Sequence, residues 1–193
     1  EDGIFSWSGT STANCLSYSL DSGATWSTPS SAITTSTLSN GDIVMWKGSN
    51  MSPEYNGIGQ FKSSANCLFD AQGNIMSLLF GDNFSGETDL TGYDYAFMFL
   101  FSDCSEITSA ENLILPATTL AEGCYSDMFN GCTNLMTAPE LPATTLASSC
   151  YNSMFNNCTS LTTAPELPAT TLADGCYSNM FNGCTSLSAI TCV

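Results

Sequence analysis

From Leu115 onward the chain states one unit three times. It reads LPATTLAEGCYSDMFNGCTNLMTAPE from Leu115, LPATTLASSCYNSMFNNCTSLTTAPE from Leu141 and LPATTLADGCYSNMFNGCTSLSAITC from Leu167, a period of 26 residues without gaps. A tandem period of this length predicts a solenoid, in which each unit buries its apolar face only against its neighbours. Such folds offer long, ordered surfaces that suit binding better than catalysis. Leu100-Phe-Ser-Asp-Cys104 matches Met128-Phe-Asn-Gly-Cys132, so a degenerate unit precedes the regular ones. The interval from Cys104 to Leu115 is two residues longer than that from Cys132 to Leu141, which predicts a two-residue insertion there.

Each unit divides into a helical and an extended part. Leu146, Cys150 and Met154 lie four apart with Phe155 beside them, the spacing of one helix face. Thr119, Thr145 and Thr171 are the expected N-caps, with Glu122 and Asp174 as capping-box acids three residues on. Asn130-Gly131, Asn156-Asn157 and Asn182-Gly183 tolerate the left-handed conformation that ends a helix. The stretch from Leu161 to Leu167 reads as extended, and Pro165 limits it to a few residues paired in parallel with its neighbours. The expected fold class is therefore mixed α and β: a small all-β, sandwich-like module over residues 1–90, then a short leucine-rich-repeat solenoid over 91–193 with parallel short strands and one helix per repeat.

The ten cysteines follow the repeat. Cys124, Cys150 and Cys176 form one series, and Cys104, Cys132, Cys158 and Cys184 a second. Two cysteines eight residues apart do not have zinc-knuckle spacing. Stacking would align them in two columns of buried thiols, each a small hydrophobe. Disulfides are the alternative, with Cys15–Cys67 the first pair to check. No histidine is present to activate a thiol as a nucleophile.

Upstream, short apolar runs at 4–7, 15–20, 43–47 and 75–80 are bounded by Gly, Ser, Asn and Asp and read as strands. Asp70-Ala-Gln-Gly-Asn74 reads as a turn between two of them. Ser19-Leu-Asp-Ser-Gly-Ala-Thr-Trp26 matches the Asp-box pattern S-x-D-x-G-x-T-W. Such a hairpin needs Asp21 to hold backbone N–H groups, Gly23 to take a positive φ, and Trp26 to pack under the loop. In a single copy it is a folding device.

Charge excludes more than it selects. Eighteen acids against Lys47 and Lys62 give a formal charge of −16. Nothing here could neutralise phosphates, so nucleic acid and anionic membrane surfaces are poor partners. No stretch approaches the about 18 apolar residues of a membrane span. The N-terminal Glu1-Asp2-Gly3 does not begin a signal peptide. Residues 81–111 hold seven acids. Among them Asp82, Glu87 and Asp89, with Asn83, form an oxygen-rich loop that offers hard ligands for calcium, but the spacing is not an EF-hand and a solvated acidic loop is the leading reading, so no cofactor is expected unless it is calcium. The same acids and the Asp-box raise the idea of a glycosidase, but no carboxylate pair is singled out by its setting. No enzyme activity is expected.

The units resemble the BspA-like leucine-rich repeats of surface proteins from gut and oral anaerobes. The shared elements are Met-Phe before the turn, Asn-Gly-Cys-Thr in it, Leu135 or Leu161 three residues later, and a Leu-Pro exit. The resemblance covers about residues 95–193. Trp46-Lys-Gly-Ser and Gly73 to Asn83 resemble the β module that precedes such repeats in short proteins of the group, some borne by phages. The present unit is a few residues longer, with an extra Cys-Tyr turn. The resemblance implies an extracellular recognition or adhesion role at a cell surface or virion, with a host or surface protein or a glycan as partner. The competing expectation is a structural subunit of a filament, fibre or virion that assembles with copies of itself through the β module and an uncapped repeat end. No polar cap follows Ser186 to Val193, so an apolar face and a strand edge are expected there. The binding residues expected on the extended segments are Thr137, Glu140, Thr163 and Glu166, outward if Leu135, Ala138 and Leu141 point in. Glu140 and Glu166 would stack about 5 Å apart as like charges.

Overall fold

The computed structural model describes residues 4–8, 16–28, 33–48, 58–64 and 67–192, with the backbone alone at 33–34. Strand β1 (Phe5–Ser8) buries Phe5 and Trp7 by simple alternation. It lies between β3 (Ile33–Thr34) and β5 (Gln60–Ser63) in an antiparallel sheet. A second pair joins β2 (Leu16–Ser19) to β4 (Met45–Gly48), also antiparallel. Tilted aromatic rings fill the space between: Phe5 meets Phe69 edge-on at 4.9 Å, Trp46 meets Phe61 at 5.0 Å, and Phe61 meets Phe101 at 5.7 Å.

The next segment reverses two expectations. Residues 69–74 are not a turn but β6 (Phe69–Asn74), paired in parallel with β7 (Ile107–Ile114). Its ladder is irregular, with register shifts around Asp70 and Gln72, which is how Gly73, at φ 89°, fits inside a strand. Residues 75–80 are not a strand but end in a single helical turn, α1 (Ser77–Phe80). Leu78 and Leu79 are adjacent and both buried, which a strand with alternating faces cannot achieve. The Asn74 side chain accepts from the Met76 N–H at 2.9 Å and starts that turn.

The larger correction concerns the repeats. Among the described residues strand makes up 24% and helix 4%, and no repeat contains a helix. In place of the one helix expected per repeat, the chain forms ribbons of consecutive β-turns at 94–104, 122–132, 148–158 and 174–184 (ribbons 1–4). N–H groups at alternate residues bond three residues back: Cys124 to Ala121, Ser126 to Gly123, Met128 to Tyr125, Asn130 to Asp127 and Cys132 to Phe129. The N–H groups between them leave the ribbon and bond the carbonyls of the following one. Tyr125 donates to Cys150 at 3.0 Å, Asp127 to Asn152 at 2.8 Å, Phe129 to Met154 at 2.9 Å and Gly131 to Asn156 at 2.8 Å. Gly123, which donates to Ser148, completes five such bonds between ribbons 2 and 3.

This geometry explains the misreading. A turn ribbon repeats every four residues, close enough to the helical 3.6 that Leu146, Cys150 and Met154 fit both. The distinguishing mark is the residue at positive φ. It recurs every fourth position: Gly123, Asp127 and Gly131 at 57°, 53° and 75°, then Ser149, Ser153 and Asn157 at 53°, 51° and 59°. A right-handed helix has no place for such residues. Every second turn here is type-II-like, with positive φ at its third residue. The expected caps lose their role accordingly. Thr145 and Thr171 bridge each other in parallel, and Thr119 bridges Asp89. Glu122 accepts the Tyr95 hydroxyl at 2.6 Å.

The ribbons stack through two columns of aligned rings. Phe97, Tyr125, Tyr151 and Tyr177 follow one another at 5.6, 5.8 and 5.9 Å, within 10° of parallel. Phe101, Phe129, Phe155 and Phe181 do so at 5.4, 5.5 and 5.7 Å. Cys104, Cys124, Cys132, Cys150, Cys158 and Cys176 are buried and unbridged. In the second series the thiols of Cys132, Cys158 and Cys184 donate to Phe101, Phe129 and Phe155 carbonyls at 3.0–3.1 Å. Cys15, the expected partner of Cys67, lies outside the described residues. One apolar cluster runs from Phe5 and Trp7 to Met180.

Candidate functional site

The extended segments between ribbons carry the four residues expected to bind. Glu140, Thr163 and Glu166 are exposed, and the two glutamates occupy equivalent places on successive repeats. Thr137 is half-buried. It bridges Ser109 in parallel, and the two hydroxyls lie 2.6 Å apart, so it belongs partly to the ladder. Leu135, Leu141, Leu161 and Leu167 are buried beneath this row. The result is a narrow strip of small polar and acidic groups on an apolar base.

The oxygen-rich loop is engaged piecewise. Asp82 accepts Lys47 Nζ with both carboxylate oxygens at 2.8 Å. Asp89 is held below the usual carboxylate range by hydrogen bonds from Thr91, side chain first and then backbone. Asn83 is exposed and Glu87 half-buried. Among the described residues no group of three or more His, Cys, Asp or Glu gathers to hold a metal.

The Asp-box has the geometry its sequence requires. Asp21 accepts the Thr25 N–H at 2.8 Å and the Thr25 hydroxyl at 2.6 Å, and Ser19 donates to it at 2.7 Å. These bonds lower the Asp21 pKa to about 2, Thr25 contributing most. Gly23 stands at φ 86°, and its carbonyl takes the Trp26 indole N–H at 3.1 Å. Lys47, pinned by Asp82, lies 4.2 Å from the centroid of the Trp26 ring, a cation–π contact that ties the hairpin to the acidic loop.

The thiols are poor nucleophiles. Burial raises Cys150 to about 12 and pushes Cys104, Cys124, Cys132 and Cys158 up as well. At neutral pH they are un-ionised apolar groups.

The apolar face expected at the end of the repeats lies on the far side of ribbon 4. Leu167, Tyr177, Met180, Phe181, Ile190 and Cys192 line an open depression of about 480 Å³. Its signal in the sequence is the recurrence of Tyr and Phe at matching places, because each ring needs a neighbour on both faces. Among the described residues no helix is long and apolar enough to cross a membrane. Compared with protein-family models, curated proteins and solved structures, the chain matches none.

Proposed function

We propose that the chain is a non-enzymatic recognition module that works outside the cell and presents the extended segments of its repeats to a protein or glycan on another surface. The observation that carries this reading is a division of labour within the repeat. Nearly all that recurs is occupied with packing: ring columns, thiols, Leu and positive-φ residues. What remains outward, at Glu140, Thr163 and Glu166, is displayed at fixed intervals on a stiff base. The resemblance to BspA-like surface repeats points the same way. Glycan and cell-surface protein arrays probed with the full chain test it. Binding by wild type that falls at least tenfold in the variant with Thr137, Glu140, Thr163 and Glu166 all changed to Ala is the expected result. Binding that survives those changes removes the strip from consideration.

A further inference from the structure

The bonds that join one ribbon to the next also occur upstream of ribbon 1. Phe97 and Phe101 donate to the Cys124 and Met128 carbonyls of ribbon 2. The matching carbonyls of ribbon 1, on Ala96 and Leu100, accept from Ile58 at 3.1 Å and from Phe61 at 2.7 Å. The Gln60 side-chain amide donates to the Ser102 carbonyl, just as the Asp103 N–H donates to Asn130 one step later. Side chains keep the same correspondence. The Phe61 ring precedes that of Phe101 at 5.7 Å, tilted by 31° where the later steps of that column are tilted by 8° or less.

The other parts of a unit follow in the same chain order. Strand β6 runs parallel to β7, and Phe69 donates to Glu106 as Ala110 donates to Thr137. Thr88, Asp89 and Leu90 then meet the next unit in the manner of Thr144, Thr145 and Leu146. Thr118 donates to the Thr88 carbonyl at 3.0 Å, and Leu90 to that of Thr119 at 2.9 Å. Thr170 donates to Thr144 and Leu146 to Thr171, both at 2.9 Å. Asp89 bridges Thr119 in parallel as Thr145 bridges Thr171, and both leucines are buried.

We propose that residues 58–90 are a diverged repeat unit that caps the carbonyl end of the stack, so that the array begins at Ile58 and not near Asp94. Four residues, 58–61, stand in for an eleven-residue ribbon, and residues 75–84, with α1, are inserted before Thr88. Those two changes erase the period from the sequence while the bonds to the next unit persist. The far side of the unit makes it a cap. Strand β1 pairs antiparallel with residues 60–63, and Trp7 lies so close to Gly59 that a Cβ there would fall 2.6 Å from its Nε1. A row of carbonyls that would otherwise recruit foreign strands is thereby sealed. The consequence for function is a new boundary. Any recognition specific to the upstream β module belongs to residues 4–48, and this holds whether or not the Thr–Glu strip binds.

Native-state amide exchange of the full chain in rising denaturant tests the assignment, because it sorts amides by the unit that opens. The amides of Ile58, Phe61, Leu90 and Thr118 are expected to exchange in step with those of Phe97 and Phe101. All six should stay closed after Tyr18 and Ser27, which bond each other across the Asp-box hairpin, have opened. Gln60→Ala keeps the β1–β5 ladder and should speed exchange at Phe97 and Phe101 by roughly threefold to tenfold, leaving Tyr18 and Ser27 unchanged. Leu90→Ala should do the same by at least about thirtyfold. The proposal fails if Ile58, Phe61 and Leu90 open with Tyr18 and Ser27 while Phe97 and Phe101 stay closed. It fails equally if all these amides open in a single step, or if Gln60→Ala leaves Phe97 and Phe101 unchanged.

Discussion

The region before residue 90 and the ribbons after residue 94 both depend on aromatic burial, but they arrange it in opposite ways. Upstream, Phe5, Trp46, Phe61 and Phe69 meet at assorted tilts, and no contact recurs. Along the two ring columns each ring lies within 10° of the next, and one contact is made again and again. A core of unique contacts closes on itself, so every member has its full set of neighbours. A core of repeated contacts has interior members and edge members, and the same residue type is worth different amounts at each place. Ring burial near Phe129 therefore stabilises through two faces, and at Phe181 through one.

The sharpest way to break the contrast is truncation along one column. Phe129→Ala, at a fully buried site between Phe101 and Phe155, should cost about 3–5 kcal/mol in chemical denaturation. Phe181→Ala should cost less than half of that, because one face is already open. Equal losses would mean that the stack has no edge in the energetic sense. Gly123→Ala comes next. A Cβ there would collide with the Tyr95 ring at a position with φ 57°, so a loss of about 2–3 kcal/mol is expected. Smaller effects have the opposite sign. Tyr125→Phe removes a buried hydroxyl that has no partner among the described residues and should stabilise by up to about 1 kcal/mol. Ser149→Gly relieves a positive φ that glycine occupies at the equivalent Gly123 and Gly175, and should add about 0.5 kcal/mol at thermal unfolding.

Titration separates the two regions as well. Asp21 has a lowered pKa in the fold, so its contribution is present above its ordinary value of 3.8 and is lost as pH falls through about 2. Cys150 has a raised pKa, so its contribution is present below the ordinary 9.0 and is lost as pH rises toward about 12. Acid should loosen the Asp-box first and alkali the ribbons first. Trp26 fluorescence and tyrosine ionisation, followed in the same sample, report the two events. Loss of both signals together at either extreme would show that the regions unfold as one unit.

Much of this is legible in the sequence. Ser19, Asp21, Gly23, Thr25 and Trp26 announce their hairpin because each has a local task that needs no distant partner. The two-residue insertion after Cys104 reappears as a changed step between bonded residues: Phe101 reaches Met128, whereas Phe129 reaches Met154. The helix was misread because spacing alone does not separate a period of four from one of 3.6 over eleven residues. Asp127, Ser153 and Asn157 held the answer, since a residue tolerant of positive φ at every fourth place argues against any helix. The pairing of β6 with β7 could not be read locally, because it joins Phe69 to Ile107 across a long interval of chain. An unpaired edge was expected at the end of the repeats; that it belongs to a turn ribbon and not a strand depends on bonds between units that no single unit reveals.

The separation of ribbon from connector also bears on heredity. All cross-ribbon bonds and ring contacts depend on register inside the ribbon, while the chain between ribbons tolerates β7 in one unit and Thr-Ala-Pro-Glu in the next. Duplication or loss of a whole 26-residue unit therefore leaves each surviving donor with an acceptor and each ring with a ring. A shift of one residue within a ribbon would exchange the inward-bonding amides for the outward-bonding ones. Unequal recombination between near-identical units can change the length of this protein in a single step, and the resulting chain inherits a complete set of contacts without any new mutation.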